Sequence, residues 1–265
     1  MKIHIIAGLP RSGSTLLCNI LNQNPKFWAT STSPLPSIVL NIGNAASTSI
    51  EYKELINREK DRYQKALSDS ITAFVMKWFE HHNKEVIFDK SRAWNGASLP
   101  LRQILPDSKM IVTVRDLRNV FASVEKQHEK NPILNDRATL LADRVDGMFS
   151  AQGLIGGPLK GIDDLILRST KGAYFVKYES LASNPKMIMQ NIYNEIEEPY
   201  FGHDFDNVIS TAEDPDGHYL NKFPHDGSGK VEACNPEEYK DYIPQNMSDN
   251  IMKSFPDFNK YFGYQ

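Results

Sequence analysis

Five short apolar runs punctuate the chain, at residues 3–7, 27–30, 86–88, 110–114 and 174–177. They lack the strict alternation of a half-solvated strand. Runs of this kind suit strands buried on both faces, as in a parallel sheet. Longer segments with apolar residues at helical spacing separate them. Residues 52–80 place Leu55, Tyr63, Leu67, Ile71, Phe74, Val75 and Phe79 along one stripe, which predicts a long amphipathic helix. Shorter helices are predicted over 14–22, 96–105 and 117–126, and a second long one over 134–154. Residues 185–196 begin with Asn184 as cap and Pro185 in the first helical position. Asn-Pro-Glu-Glu at 235–238 repeats that signature before a short C-terminal helix. Strands alternating with helices predict an α/β fold, a parallel sheet of about five strands flanked by helices, in a single domain over 1–265. Residues 197–234 are rich in Gly, Pro, Asp and His with little periodicity. They read as a long functional or mobile loop, and 235–265 as a helical tail.

Ligands in such sheets bind beyond the carboxyl ends of the strands. Those ends carry residues 8–15, 31–33, 89–92, 115–118 and 178–179. The first is the most telling. The run G-L-P-R-S-G-S-T over 8–15 joins an apolar strand to a helix with no acid at its start. Such a turn aims backbone N–H groups at one spot, at the positive end of a helix, and suits a phosphate. Gly8, Gly13 and Thr15 have the spacing of a nucleotide-triphosphate loop, but Ser14 replaces its lysine and Arg11 supplies a cation earlier in the turn. The plain alternative is a glycine-rich turn with no ligand. Against it, further cations fall at the same sheet edge: Lys90 and Arg92, Arg115 and Arg118, and Lys177. Together they form a field for a ligand with several anionic groups. Arg115 and Ser123 lie about two helical turns apart, on one side of a helix start. Asp116 precedes that helix and suits an N-cap.

Composition narrows the class. The chain has 265 residues, 40% hydrophobic and 24% charged, with a net charge of −3, so non-specific nucleic-acid binding is not favoured. No apolar run is long enough to span a bilayer and no secretory apolar region follows Lys2, so neither a membrane nor a nucleic-acid partner is expected. Cys18 and Cys234 make no metal or disulfide framework. A reducing, cytoplasmic setting is the expectation.

Three ordered motifs resemble the sulfotransferase superfamily, which uses 3′-phosphoadenosine 5′-phosphosulfate (PAPS). Residues 8–15 resemble its 5′-phosphosulfate loop. V-R-D-L-R-N-V-F-A-S over 114–123 resembles its 3′-phosphate segment. F-V-K-Y-E-S-L over 175–181, followed by Asn184 and Pro185, resembles its later Tyr-Glu-x-Leu…Pro landmark. The arginine in the loop is closer to the tyrosylprotein and bacterial branch than to the cytosolic small-molecule branch. The resemblance implies transfer of a sulfuryl group from PAPS to a hydroxyl or phenol of a small molecule or peptide, releasing 3′,5′-ADP (PAP). It implies that Arg11, Ser12, Gly13, Ser14 and Thr15 hold the 5′-phosphosulfate, Arg115 and Ser123 the 3′-phosphate, and that Tyr178 lies near the adenine. It implies that Lys90 stands near the transferring group and that Ser228 and Lys230 belong to a loop closing over the nucleotide. Arg11 and Lys90 are then the candidate catalytic residues, and no metal is required. Structural readings stay open for three of these: Tyr178 as a core aromatic, Lys90 paired with Asp89, Lys230 solvated.

The acceptor's base is the gap. The tyrosylprotein branch has a glutamate after its first helix, whereas residues 25–33 here contain no acid. His81 and His82 read as solvated at a helix end, while His218 and His225 lie in the long loop. Trp28, Ser31, Ser33 and Leu35 are acceptor-pocket candidates. Trp78 and Trp94 are candidates by character only. Two rival readings remain: a small-molecule kinase with Asp89 as its magnesium acid, and a non-catalytic nucleotide-binding relative.

Overall fold

Every apolar run becomes a strand: β1 (Lys2–Gly8), β2 (Phe27–Ala29), β3 (Val86–Lys90), β4 (Met110–Val114) and β5 (Ala173–Lys177). In this computed structural model, which describes residues 1–130, 140–168, 172–211 and 227–265, they form one sheet in the order β2-β3-β1-β4-β5. All pairs are parallel. β1 and β3 run further than their apolar residues, because Ile6 pairs with Lys90 and Gly8 with Thr113. The sheet thus carries polar residues to its carboxyl edge in register.

Both faces of the sheet are apolar, as the missing alternation requires. Ile3, Ile5 and Ala7 join one core; Ile6 joins the other. The first core takes side chains from α2 (Leu35–Thr48), α3 (Ile50–Phe79), α4 (Ser98–Ile104), α5 (Leu117–Lys130) and α7 (Gly156–Leu167). The second takes Leu17, Ile20 and Leu21 of α1 (Ser14–Leu21), Leu181 of α8 (Tyr178–Ser183), and Ile188, Met189 and Ile192 of α9 (Pro185–Glu195). Each fully buried aliphatic side chain contributes roughly 1.5–3 kcal/mol. The C-terminal α10 (Gln245–Ser254) and α11 (Pro256–Phe262) insert Ile251, Phe258 and Phe262 into the first core.

Several elements depart from expectation. α2 is a helix that pattern did not predict, since its second half (41–48) has one large apolar residue, Ile42, among small and polar ones and so shows no apolar stripe. α3 is capped by the Ser49 hydroxyl, which accepts from the Tyr52 N–H at 3.1 Å. Its backbone breaks at Glu59 (φ −142°, ψ 70°). Of the predicted stripe only Ile71, Val75 and Phe79 are buried; Leu55 and Tyr63, before or near the break, stay half-exposed. The long helix expected over 134–154 is instead α6 (Leu141–Phe149), followed by a turn in which the Ile155 N–H bonds the Met148 carbonyl at 2.9 Å; residues 131–139 lie outside the described residues. Pro185 opens α9 as expected, but Asn184 makes no side-chain cap. Asp116 does cap α5, accepting from the Arg118 N–H at 2.9 Å. Among the described residues no helix is long and apolar enough to cross a membrane.

Candidate active site

Strand order reverses direction at β1, with β3 on one side and β4 on the other, so a crevice opens there at the carboxyl edge. The loop after β1 fills its floor. Gly8 has φ +134°, and a Cβ there would fall 2.1 Å from the Thr113 carbonyl oxygen; only glycine lets β1 leave the sheet so close to β4. Arg11 and Gly13 are both left-handed (φ 55° and 83°), which curls the loop into a concave run of backbone N–H groups. Gly13 caps α1 with no side-chain acceptor, and the first turn holds no acid. The helix start therefore keeps its positive end for a ligand.

The other strand ends close on this loop. Arg115, at the end of β4, donates to the Arg11 carbonyl at 3.2 Å, and the Arg11 Nε donates to the Ser123 hydroxyl at 3.1 Å. Tyr178 follows β5, and its ring lies under the Arg115 guanidinium at 4.5 Å. Burial raises the Tyr178 phenol above its ordinary value. Lys90, at the end of β3, donates from Nζ to the Thr15 hydroxyl at 2.9 Å. Its own N–H bonds the Thr30 hydroxyl at 2.7 Å, which pins the strand end. Arg11, Gly13, Ser14, Thr15, Lys90, Arg115, Ser123, Tyr178, Ser228 and Lys230 all line one cavity of about 1180 Å³. Six basic side chains (Arg11, Lys90, Arg92, Arg115, Lys126, Lys230) and two acidic ones (Glu232, Glu238) stand on its wall. A chain of net charge −3 has thus gathered positive charge in one place.

One predicted ligand turns away. Ser12 is 1% exposed; its hydroxyl donates to the Leu9 carbonyl at 2.6 Å and shares a 2.7 Å bond with Thr113. Its side chain shapes the loop, and only its backbone can face a ligand. The acceptor side also differs from expectation. Ser33 lines the cavity together with Thr32, Pro34 and Ser37. Trp28 instead stacks on His82 at 4.6 Å, Leu35 is fully buried, and Ser31 is buried without reaching the wall. Trp94 is a core residue, while Trp78 packs on Phe74 at the surface. Asp89, the kinase reading's metal acid, is completely buried and its Oδ2 accepts from the Trp94 indole at 2.6 Å. Its carboxylate does not reach the cavity wall. Cys18 is buried, which pushes its thiol up to about 11 and leaves it inert. His218 and His225 lie outside the described residues.

Some wall residues escaped sequence reasoning. Lys126 stands one helical turn after Ser123 on α5, a spacing that could have flagged it. Glu238 accepts from Lys126 at 2.6 Å and from Arg115 at 3.4 Å, which puts a carboxylate between two cations of the candidate anion site. Gly227 and Ser228 approach α1, where the Gly227 carbonyl accepts from the Asn19 amide at 3.1 Å. The Val208–Gly229 bridge ties this segment back to the earlier part of the long loop. Among the described residues no group of three His, Cys, Asp or Glu side chains gathers at metal-ligand spacing.

A crevice at the switch point, floored by an anion-binding turn and walled by cations, defines an α/β nucleotide-site protein of the phosphate-loop kind. The sulfotransferase family model matches residues 5–202, and the chain belongs to that family. Its fold is shared by the sulfotransferase domain of the Synechococcus PCC 7002 olefin synthase (18% identity, TM-score 0.52, covering 97% of this chain and 94% of that one). A mouse sulfotransferase complexed with PAP has the same architecture (12% identity, TM-score 0.54, 98% and 85% covered). So does a retinol dehydratase bound to retinol and PAP (16%, TM-score 0.53, 98% and 82%). No curated protein sequence matches significantly.

Proposed function

We propose that this sulfotransferase takes its sulfuryl group from PAPS, passes it to a hydroxyl of a small molecule or peptide, and releases 3′,5′-ADP. The observation that carries the reading is the meeting of two separate anion sites in one cavity. Thr15 and Lys90 form one at the α1 start; Arg115, Ser123 and Lys126 form the other, and Arg11 joins the two through its bond to Ser123. A nucleotide phosphorylated at both ends of its ribose has that pattern of charge. The concave loop, with glycine where a Cβ would strike Tyr178 at 2.5 Å, leaves room for a 5′-phosphosulfate against backbone N–H groups. The Arg115–Tyr178 stack offers a flat surface for the adenine. Ser228 and Lys230 border the nucleotide from the late loop, where Lys230 also meets Asp206 at 3.5 Å.

Sulfuryl transfer asks for alignment of attacking oxygen, sulfur and leaving oxygen, and for charge stabilisation as the leaving phosphate develops. Lys90 and Arg11 stand where that charge grows, with the loop N–H groups beside them. One preorganised donor of this kind is worth about 2.7–4 kcal/mol in the transition state. The test is the melting temperature with 3′,5′-ADP, ATP, ADP or buffer, all without metal. Selective stabilisation by 3′,5′-ADP is expected. Equal or stronger stabilisation by ATP would return the kinase reading.

A further inference from the structure

Asn19 lies on α1 and is 1% exposed. A buried amide is costly unless its N–H and C=O groups are bonded. Asn19 finds its partners in two stretches of chain far along the sequence. Its Nδ2 donates to the Gly227 carbonyl at 3.1 Å. Its Oδ1 accepts from the Thr211 N–H at 3.2 Å and from the Thr211 hydroxyl at 3.3 Å. Asn22, at the end of the same helix, adds a bond from Nδ2 to the Thr211 hydroxyl at 2.8 Å. The two stretches also pair with each other. Val208 and Gly229 exchange both backbone bonds, at 2.9 and 2.7 Å, and the Val231 N–H bonds the Phe205 carbonyl at 2.8 Å. Val208 is buried in the second core, with Phe205 and Val231 packed against that core. Residues 205–211 and 227–231 thus make one antiparallel tie. Its apolar side is fastened by the core and its polar end by Asn19.

The same helix opens at the anion turn. Gly227 lies so close to its first turn that a Cβ there would fall 2.8 Å from the Leu16 nitrogen. Just beyond it, Ser228 and Lys230 line the cavity. The ion pair of Lys230 with Asp206, 3.5 Å between two mostly exposed side chains, is too weak to place the lysine. We propose that Asn19 is a positioning residue for the nucleotide. It holds Ser228 and Lys230 at a fixed distance from the helix start, so that the loop N–H groups and these two side chains meet one ligand. The proposal rests on the 3′,5′-ADP reading of the cavity given above. Asn19 is absent from the cavity wall and acts only through the tie. Side chains placed beforehand bind at a lower ordering cost. The coupling runs both ways, so a nucleotide touched by Ser228 and Lys230 steadies the tie.

Titration of the full chain with 3′,5′-ADP tests this clasp. Asn19→Ala should weaken binding about three- to tenfold. Gly227→Ala should do the same without touching α1, because its Cβ drives the tie away from Leu16; it carries the test should Asn19→Ala fail to fold. Lys230→Ala should weaken binding about fivefold. Combined with either of the other two, it should add less than about twofold, since a lysine already misplaced has little left to lose. A merely structural role for Asn19 would leave the Lys230→Ala loss intact, and the losses would multiply. That result, or wild-type affinity in both Asn19→Ala and Gly227→Ala, would overturn the proposal. Hydrogen exchange needs no nucleotide: the Val208 and Gly229 amides should exchange about tenfold faster in Asn19→Ala, while those of β1 and β4 keep their wild-type rates. Uniform acceleration, or none, would also overturn it. Should the wild type bind no 3′,5′-ADP, the nucleotide reading is what fails, and the exchange rates alone decide whether Asn19 places Ser228 and Lys230.

Discussion

Gly13→Ala bears directly on how the loop and the adenine stack depend on each other. The residue has φ +83°, and a Cβ there would lie 2.5 Å from Tyr178 Cδ2 and 3.1 Å from Cε2. A left-handed backbone costs an L-residue about 1–2 kcal/mol. Carbon atoms settle at about 3.5–4.0 Å, so the ring must recede by roughly an ångström. The Arg115 guanidinium lies over the same ring at 4.5 Å, so any shift of Tyr178 moves it against that neighbour. The stack, worth about 0.5–2 kcal/mol, is therefore disturbed along with the backbone. A melting temperature lower by about 3–16 °C should follow. Affinity for 3′,5′-ADP should fall about 2–30-fold as the stack is disturbed, at 1.4 kcal/mol per tenfold. Scanning calorimetry and titration calorimetry read the two numbers. Gly43→Ala is the control: it lies in α2 with nothing within 4 Å of a new Cβ, and should be neutral or slightly stabilising. If Gly13→Ala binds and melts like Gly43→Ala, the packing of loop against Tyr178 does not support the site and the reasoning fails.

Three further predictions follow from the same geometry. Lys90→Ala should lower turnover about a hundredfold or more while weakening 3′,5′-ADP binding much less, and unchanged turnover would remove Lys90 from the mechanism. Glu238→Gln deletes the carboxylate set between Arg115 and Lys126; titration with 3′,5′-ADP should show binding about two- to fivefold tighter, whereas weaker binding would make Glu238 a support for Arg115. Asp89 has its proton affinity raised from 3.8 to about 6 in the fold, so the native state binds that proton more tightly than the unfolded chain. Its contribution to stability is full below about pH 3.8 and is lost as the pH climbs through about 6, by about 3 kcal/mol. Urea melts from pH 4 to 7 should therefore show Asp89→Asn gaining on the wild type across that window, and a constant difference would place the native carboxyl at its ordinary value.

Local chemistry decided much of this molecule. Unalternated apolar runs became parallel strands because a sheet covered on both faces has no polar side to record. The Gly8–Gly13–Thr15 spacing announced a concave turn because left-handed backbone and a bare helix start are properties of a few neighbouring residues. Asp116 was legible as a cap for the same reason. The direction in which a polar side chain turns at a strand end was not legible, because it depends on what the neighbouring strands and helices leave open. Ser12 faces inward since Thr113 on β4 and the Leu9 carbonyl meet it there. Asp89 and Lys90 are adjacent in sequence, yet the period of a strand sends one to Trp94 in the core and the other to Thr15 at the cavity. α2 was silent because its small residues bury so little. Glu238 reached Arg115 and Lys126 because its neighbours Pro236 and Tyr239 are bound to Asn119 of α5, far away in sequence. The concave turn was a matter of short-range sequence; the partners of the charges around it were settled by contacts between residues far apart along the chain.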